Sequence, residues 1–164
     1  MDSMPAAKEI AAALVDNLKV GMWSAFPVTG VIPPELDTEG EEPLGFSIDV
    51  QKTSPFEKTL HLVPKAVVLG IGCKRGTERA VIQKLVEEVL EVNGIFRESI
   101  CKIASIDLKK DETGILELAE SYQVPFLTYP AEKLKKAVCE DGFAESAFVE
   151  SITGVGNICE RSAL

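Results

Sequence analysis

The residues best suited to chemistry stand in one short run, Gly70-Ile71-Gly72-Cys73-Lys74-Arg75-Gly76-Thr77. It joins an apolar stretch with strand character to a segment with helical spacing. Glycines let a backbone turn sharply and come close to a ligand. The unpaired amides of a helix's first turn, at the positive end of its dipole, favour anions. Lys74 and Arg75 add two formal charges there, so carboxylates or phosphates are the expected ligands. The spacing, G-x-G-x-x-x-G, is one residue longer than the dinucleotide fingerprint, and no Lys-Ser/Thr follows the last glycine as in a Walker A loop. A nucleotide-binding domain is therefore disfavoured. The competing reading is a tight turn whose two cations face solvent.

Four other side chains are candidates. Asp107, with Lys109 and Lys110 beside it, is expected to end a second strand on the same sheet edge as the glycine run. It is the best single carboxylate for a general base, although turn capping competes. Lys109 would add a cation to the site. Cys73 stands at the expected helix start beside two cations, an environment that lowers a thiol pKa. No base partner is visible, so packing is the plainer reading. His61, between Leu60 and Leu62, fits a solvent-facing edge-strand histidine better than a metal-binding imidazole.

The elements that must position these groups follow from apolar spacing. The pattern predicts a helix over 5–17, strands over 18–23, 44–50 and 59–63, and a loop over 27–43 that holds Pro33-Pro34 and Glu39, Glu41 and Glu42. The apolar run 66–71 reads as a strand buried on both faces. Thr77 is the expected N-cap of a helix that ends at Asn93-Gly94, with Val81, Ile82, Leu85, Val86, Val89 and Leu90 as its apolar stripe. A strand over 103–108, a helix over 113–123, a strand over 125–129 and helices over 131–138, 144–152 and 157–164 complete the pattern. Gly154 and Gly156 read as helix breaks. Trp23, Phe26 and Pro27 read as a local apolar cluster. Strands alternating with helices imply α/β architecture with a largely parallel sheet. The domains expected are 1–65, a small α+β segment, and 66–164, a largely parallel sheet with helices on its faces.

Composition sets the outer bounds. The chain has 164 residues, a net charge of −9 and a pI near 4.7. That balance argues against a nucleic-acid partner, which needs a basic footprint. It also means that an anionic ligand requires a local cationic site. No apolar run reaches the length of a membrane span, and the first residues lack a secretion signal. A cytoplasmic protein is expected. Cys73, Cys101, Cys139 and Cys159 form no CxxC pair, and His61 is the single histidine, so neither a zinc site nor a disulfide framework is expected.

Four stretches taken in order resemble one family. They are WSAFPVTGVIP (23–33), GIGCKRGT (70–77), SIDLKKDETG (105–114) and TGVGNICERSAL (153–164). They are similar to the central and C-terminal regions of the CbiG proteins of cobalamin biosynthesis, the last part being shared with stand-alone CobE. GIGC-basic-basic-G-T followed by S-I-D-L-K is the specific pair. The resemblance implies the three-layer fold of 66–164 and a role in building the corrin ring. The family's enzyme is described as a cobalt-precorrin-5A hydrolase, which opens a δ-lactone and releases acetaldehyde. The implied partner is an anionic corrin intermediate, with other enzymes of the pathway as further partners. Cobalt would arrive with the substrate and no intrinsic cofactor is expected. The family's N-terminal domain and its closing strand pair have no counterpart here, so a shortened form or a fragment is expected. The other reading is a non-catalytic corrin-binding module or scaffold.

Overall fold

A computed structural model describes residues 3–164. Residues 1 and 2, part of the stretch read above for a secretion signal, lie outside them. The chain divides into two compact units, residues 1–64 with 93–99 and residues 65–92 with 100–164.

In the first unit, helix α1 (Ser3–Val15) precedes strands β1 (Val20–Ser24), β2 (Leu36–Asp37), β3 (Leu44–Ile48) and β4 (Lys58–Leu62). The sheet runs β2-β1-β3-β4 and is parallel throughout. Short β2 lies within the stretch expected to be all loop. The alanines of α1 allow close approach, so Ile10 meets Val20 and Leu60, with Ala6, Ala13, Leu14 and Phe46 around them. Asn17 ends the helix at φ 58°, a left-handed conformation that asparagine tolerates.

Parallel neighbours usually need a helical crossover of a dozen residues or more. Here only residues 49–57 link β3 to β4. Phe56 takes the place of a covering helix. Its ring fills the space that side chains at Gly21 and Gly45 would occupy.

The second unit has strands β5 (Val67–Gly70), β6 (Ile100–Ile106) and β7 (Phe126–Tyr129), parallel and in that order. Helices α2 (Arg79–Val92), α3 (Thr113–Tyr122), α4 (Ala131–Leu134), α5 (Ala147–Thr153) and α6 (Cys159–Ala163) flank it. The architecture is α/β with parallel sheets and flanking helices, as the alternating pattern implied. Helix α6 lies against β5 and β6, and α2 packs on α3. Ile106, Leu134, Val155 and Ile158 form one core cluster. Gly154, at φ 76°, caps α5 as expected.

Several local expectations are corrected. The strand buried on both faces is β6, not β5. Ile100, Ile103, Ala104 and Ile106 are almost fully buried, whereas β5 is an edge strand and only half-buried. An apolar run marks a hydrophobic setting without saying which strand is central. Strand β6 starts three residues earlier than expected and stops at Ile106, so Asp107 opens a 3-10 turn, Asp107–Lys109. Helix α2 begins at Arg79, and Thr77 is not its N-cap; the Thr77 hydroxyl donates instead to the Lys74 carbonyl at 2.7 Å. The late helices are shorter than their apolar patterns suggested.

The stripe on α2 also splits. Ile82, Val86 and Leu90 are buried, whereas Val81, Leu85 and Val89 are at least half exposed. Six apolar positions span a wider arc than one contact face can cover. A Val89→Lys variant is therefore expected to change unfolding free energy by less than about 0.5 kcal/mol, measured by urea titration. A large loss would place Val89 in a core.

Candidate functional site

The loop Gly70–Thr77 leaves the carboxyl end of β5, the edge of a parallel sheet where open α/β folds hold ligands. Its start is packed tightly. A side chain at Gly70 would run into the Cys159 carbonyl of α6, and one at Gly72 would come within 3.2 Å of the Cys159 sulfur. Buried Ser105 on β6 donates to the Ile71 carbonyl at 2.6 Å, and the Ile71 N–H donates to Ala104 at 2.9 Å. Gly70 and Ile71 are thus fixed from two sides, while Gly72 is exposed. Gly76, at φ 76°, makes the left-handed turn that closes the loop.

A side chain outside the expected set organises this turn. Glu112, 3% exposed, accepts from the Gly76 N–H at 2.6 Å and from the Lys109 ammonium at 3.1 Å. Burial pushes its carboxyl up, but the Gly76 N–H, the Lys109 ammonium and the Arg75 charge together hold it below the ordinary glutamate range. Glu112 precedes the first residue of α3 yet does not cap that helix with its side chain. It satisfies an amide 36 residues away. Only the Lys109/Glu112 spacing of three residues hinted at this pair, and that spacing is common on any turn or helix.

The basic pair divides its roles. Arg75 donates to the Leu108 carbonyl at 2.9 Å and to Asp111 at 3.3 Å, tying the loop to the turn after β6. That guanidinium, after a backbone hydrogen bond, helps to hold the exposed Asp111 carboxyl below its usual range. Lys74 is exposed and makes no ion pair among the described residues. Asp107 is exposed, one residue beyond β6. Lys109 is largely buried beside Glu112.

Cys73 is half-buried, and burial raises its pKa, outweighing Lys109 and a hydrogen bond from Thr77, while Glu112 raises it further. The lowered thiol pKa that the neighbouring cations suggested is absent, and the half-buried side chain fits the packing reading. Cys159 is likewise raised by burial. The structure therefore gathers Cys73, Thr77, Lys109 and Glu112, and leaves Lys74 and Asp107 open to solvent.

An open cleft of about 450 Å³ lies between the starts of α2 and α3, lined by residues 76–80, 112–114 and Glu117. Gly114 lets the two helix starts touch, since a side chain there would meet the Thr77 carbonyl. Glu78, Glu112 and Glu117 make this cleft acidic, with Arg79 as its one lining cation. It suits an anion less well than the Lys74 side of the loop. Among the described residues no group of three His, Cys, Asp or Glu side chains could hold a metal ion. No described helix is long and apolar enough to cross a membrane.

Residues 67–164 match the family described as "Cobalamin synthesis G C-terminus". The chain is 32% identical to a cobalt-precorrin-5A hydrolase of Salmonella typhimurium over 99% of its own length and 49% of that relative's. A cobalt-precorrin-5A hydrolase of Priestia megaterium is 33% identical over 62% of this chain and 26% of that protein. The chain thus spans half or less of the length of these two relatives. The crystal structure of CobE, a protein from the cobalamin (vitamin B12) biosynthetic pathway, aligns with a TM-score of 0.57 at 29% identity, covering 62% of this chain and 71% of that one. The resemblance carried by GIGCKRGT and SIDLK was therefore sound, and the chain belongs to the cobalamin synthesis G C-terminal family.

Proposed function

We propose that this chain forms the part of a cobalt-precorrin-5A hydrolase that holds the corrin intermediate, and that it works in the cytoplasm. A corrin intermediate carries acetate and propionate arms around an apolar ring. Lys74 and the exposed loop backbone around Gly72 would hold a carboxylate by charge-assisted hydrogen bonds, with Thr77 steadying the loop through its hydroxyl bond to the Lys74 carbonyl. Arg75, Gly76, Lys109 and Gly70 contribute by fixing the loop, and Cys73 lines its inner side. The observation that carries the reading is the division of labour within the basic pair. Arg75 is spent on the fold, whereas Lys74 stands exposed at the carboxyl end of a parallel sheet.

In the hydrolytic reading Asp107 is the general base. It accepts a proton from water as the oxygen attacks the lactone carbonyl, and the ring oxygen leaves as the alcohol. Cobalt belongs to the substrate, and no resident cofactor enters this step. Other enzymes of the pathway are the proposed protein partners.

Titration of a cobalt-corrin carrying free acetate and propionate arms, followed by its visible spectrum, tests the binding half. Lys74→Ala is expected to weaken binding about tenfold, near 1.4 kcal/mol. Unchanged binding removes the loop from the site. Acetaldehyde release from cobalt-precorrin-5A tests the hydrolytic half, with Asp107→Asn expected to slow it about a hundredfold. A second reading, a corrin-binding module without chemistry of its own, is favoured by one observation. The chain is 32% identical to Protein CobE of Sinorhizobium over 60% of its length and 63% of that shorter protein. Binding without turnover by the chain alone would select it.

A further inference from the structure

The first unit carries a constellation that the corrin reading does not use. His61 on β4 stands opposite Ser47 on β3 in the parallel ladder, so the two side chains share one face. Ser47 is 1% exposed, and its hydroxyl lies 3.0 Å from His61 Nδ1. The other ring nitrogen, Nε2, lies 3.4 Å from the Ser54 hydroxyl. Ser54 is exposed and sits in the crossing loop between β3 and β4. Phe96 packs against the imidazole with ring centres 5.1 Å apart.

The surroundings hold this chain of groups still. Thr53, next to Ser54, donates to buried Asp49 at 2.8 Å. Two residues beyond Ser54, Phe56 is wedged over Gly21 and Gly45, and its N–H donates to the Thr59 hydroxyl at 3.1 Å. Ser54 is thus pinned on both sides. Ser47 and His61 lie near the carboxyl ends of their strands, the edge at which parallel sheets hold their sites. An exposed nucleophile, a base within reach and a buried group orienting that base is the arrangement acyl transfer needs.

We propose that Ser54 and His61 form an acyl-transfer centre for carboxylic esters, lactones included, with Ser47 as the positioning residue. In the tautomer protonated at Nδ1, that N–H donates to Ser47 Oγ, which leaves the Nε2 lone pair facing Ser54. As Ser54 Oγ bonds to the ester carbonyl carbon, His61 Nε2 takes the hydroxyl proton. The carbon–oxygen bond to the alcohol breaks, and the same proton passes to the departing oxygen. Water then attacks the acyl-serine, giving a proton to His61, and as the bond from the acyl carbon to Oγ breaks, His61 returns that proton to Ser54 Oγ and the acid leaves. At 3.4 Å the Ser54 hydroxyl stands at the outer limit of a hydrogen bond to Nε2, so proton transfer requires the two to draw closer. This centre belongs to the first unit and does not depend on the Lys74 loop binding a corrin.

The test uses the full chain with diisopropyl fluorophosphate, which phosphorylates serines activated by a base as fluoride leaves. Peptide mapping is expected to find the phosphoryl group on Ser54, and none after denaturation in urea. His61→Gln is expected to slow labelling at least about a hundredfold. Ser47→Ala is expected to slow labelling about tenfold and Ser47→Thr to restore it, because the ring regains its orienting hydroxyl. Absence of label on Ser54 in the native chain overturns the proposal whatever the variants do. Labelling that persists unchanged in His61→Gln removes the base, and a Ser47→Ala rate that is unchanged, or that Ser47→Thr does not restore, removes Ser47 from the centre. Failure of corrin binding leaves these outcomes untouched, so the two readings are tested separately.

Discussion

Glu112→Gln is expected to destabilise the chain by about 3 kcal/mol, read by urea or thermal unfolding. The carboxylate is buried, accepts from Gly76 and is paired with Lys109, itself only 12% exposed. Glutamine can keep one acceptor for the Gly76 N–H, but it strands the Lys109 ammonium without its counter-charge. Breaking one partner of a buried pair usually costs more than the pair contributes, because the remaining charge stays desolvated. Lys109→Met with Glu112→Gln removes both charges and is expected to recover part of the loss. A loss no larger than in a surface variant would mean that the loop does not depend on this carboxylate.

The same group sets an acid limit. Its pKa in the folded chain lies below the ordinary glutamate value of 4.5. A depressed folded value means that the unfolded chain binds the proton more readily. The stabilisation from ionised Glu112 is therefore fully present above about pH 5 and is lost as pH falls through the folded pKa. Unfolding free energies between pH 6 and pH 3 are expected to fall more steeply for the natural chain than for Glu112→Gln. Parallel curves would show that other carboxylates govern the acid response.

Gly70→Ala has the second large effect, a loss of about 3 kcal/mol or failure to fold. The obstacle is backbone, the Cys159 carbonyl of α6, which cannot rotate away as a side chain would. Accommodation requires α6 to lift from β5, and the Ser162 hydroxyl nearby would move with it. The Gly72→Ala change is the contrast. Its nearest neighbour is the Cys159 sulfur at 3.2 Å, the end of a side chain that can turn, so a loss under about 1 kcal/mol is expected. Similar losses in both variants would mean that α6 does not press on the loop. Gly70 thus serves the packing of α6 on β5, while a side chain at Gly72 would meet first the movable end of the Cys159 side chain.

These positions show how far the amino-acid order reaches. The spacing G-x-G-x-x-x-G marked a turn at the right place, because glycine content and the strand-to-helix change are local properties. Nothing local separated Lys74 from Arg75, since their difference lies in a carbonyl at Leu108 and a carboxylate at Asp111, more than thirty residues away. Ser47 and His61 are also invisible as a pair, because a parallel register, not sequence proximity, sets them side by side.

Local pattern alone determined the alternation of strands and helices, the α/β class, the family and the position of the glycine turn. It could do so because periodicity, turn chemistry and motif order are carried by neighbours along the chain. Tertiary structure alone decided that β6 and not β5 is the central strand, that half of the α2 stripe faces water, and that Glu112 rather than an incoming anion meets the Gly76 amide. Burial and hydrogen-bond partnership depend on which distant segments share space, and that is settled only when the whole chain has packed.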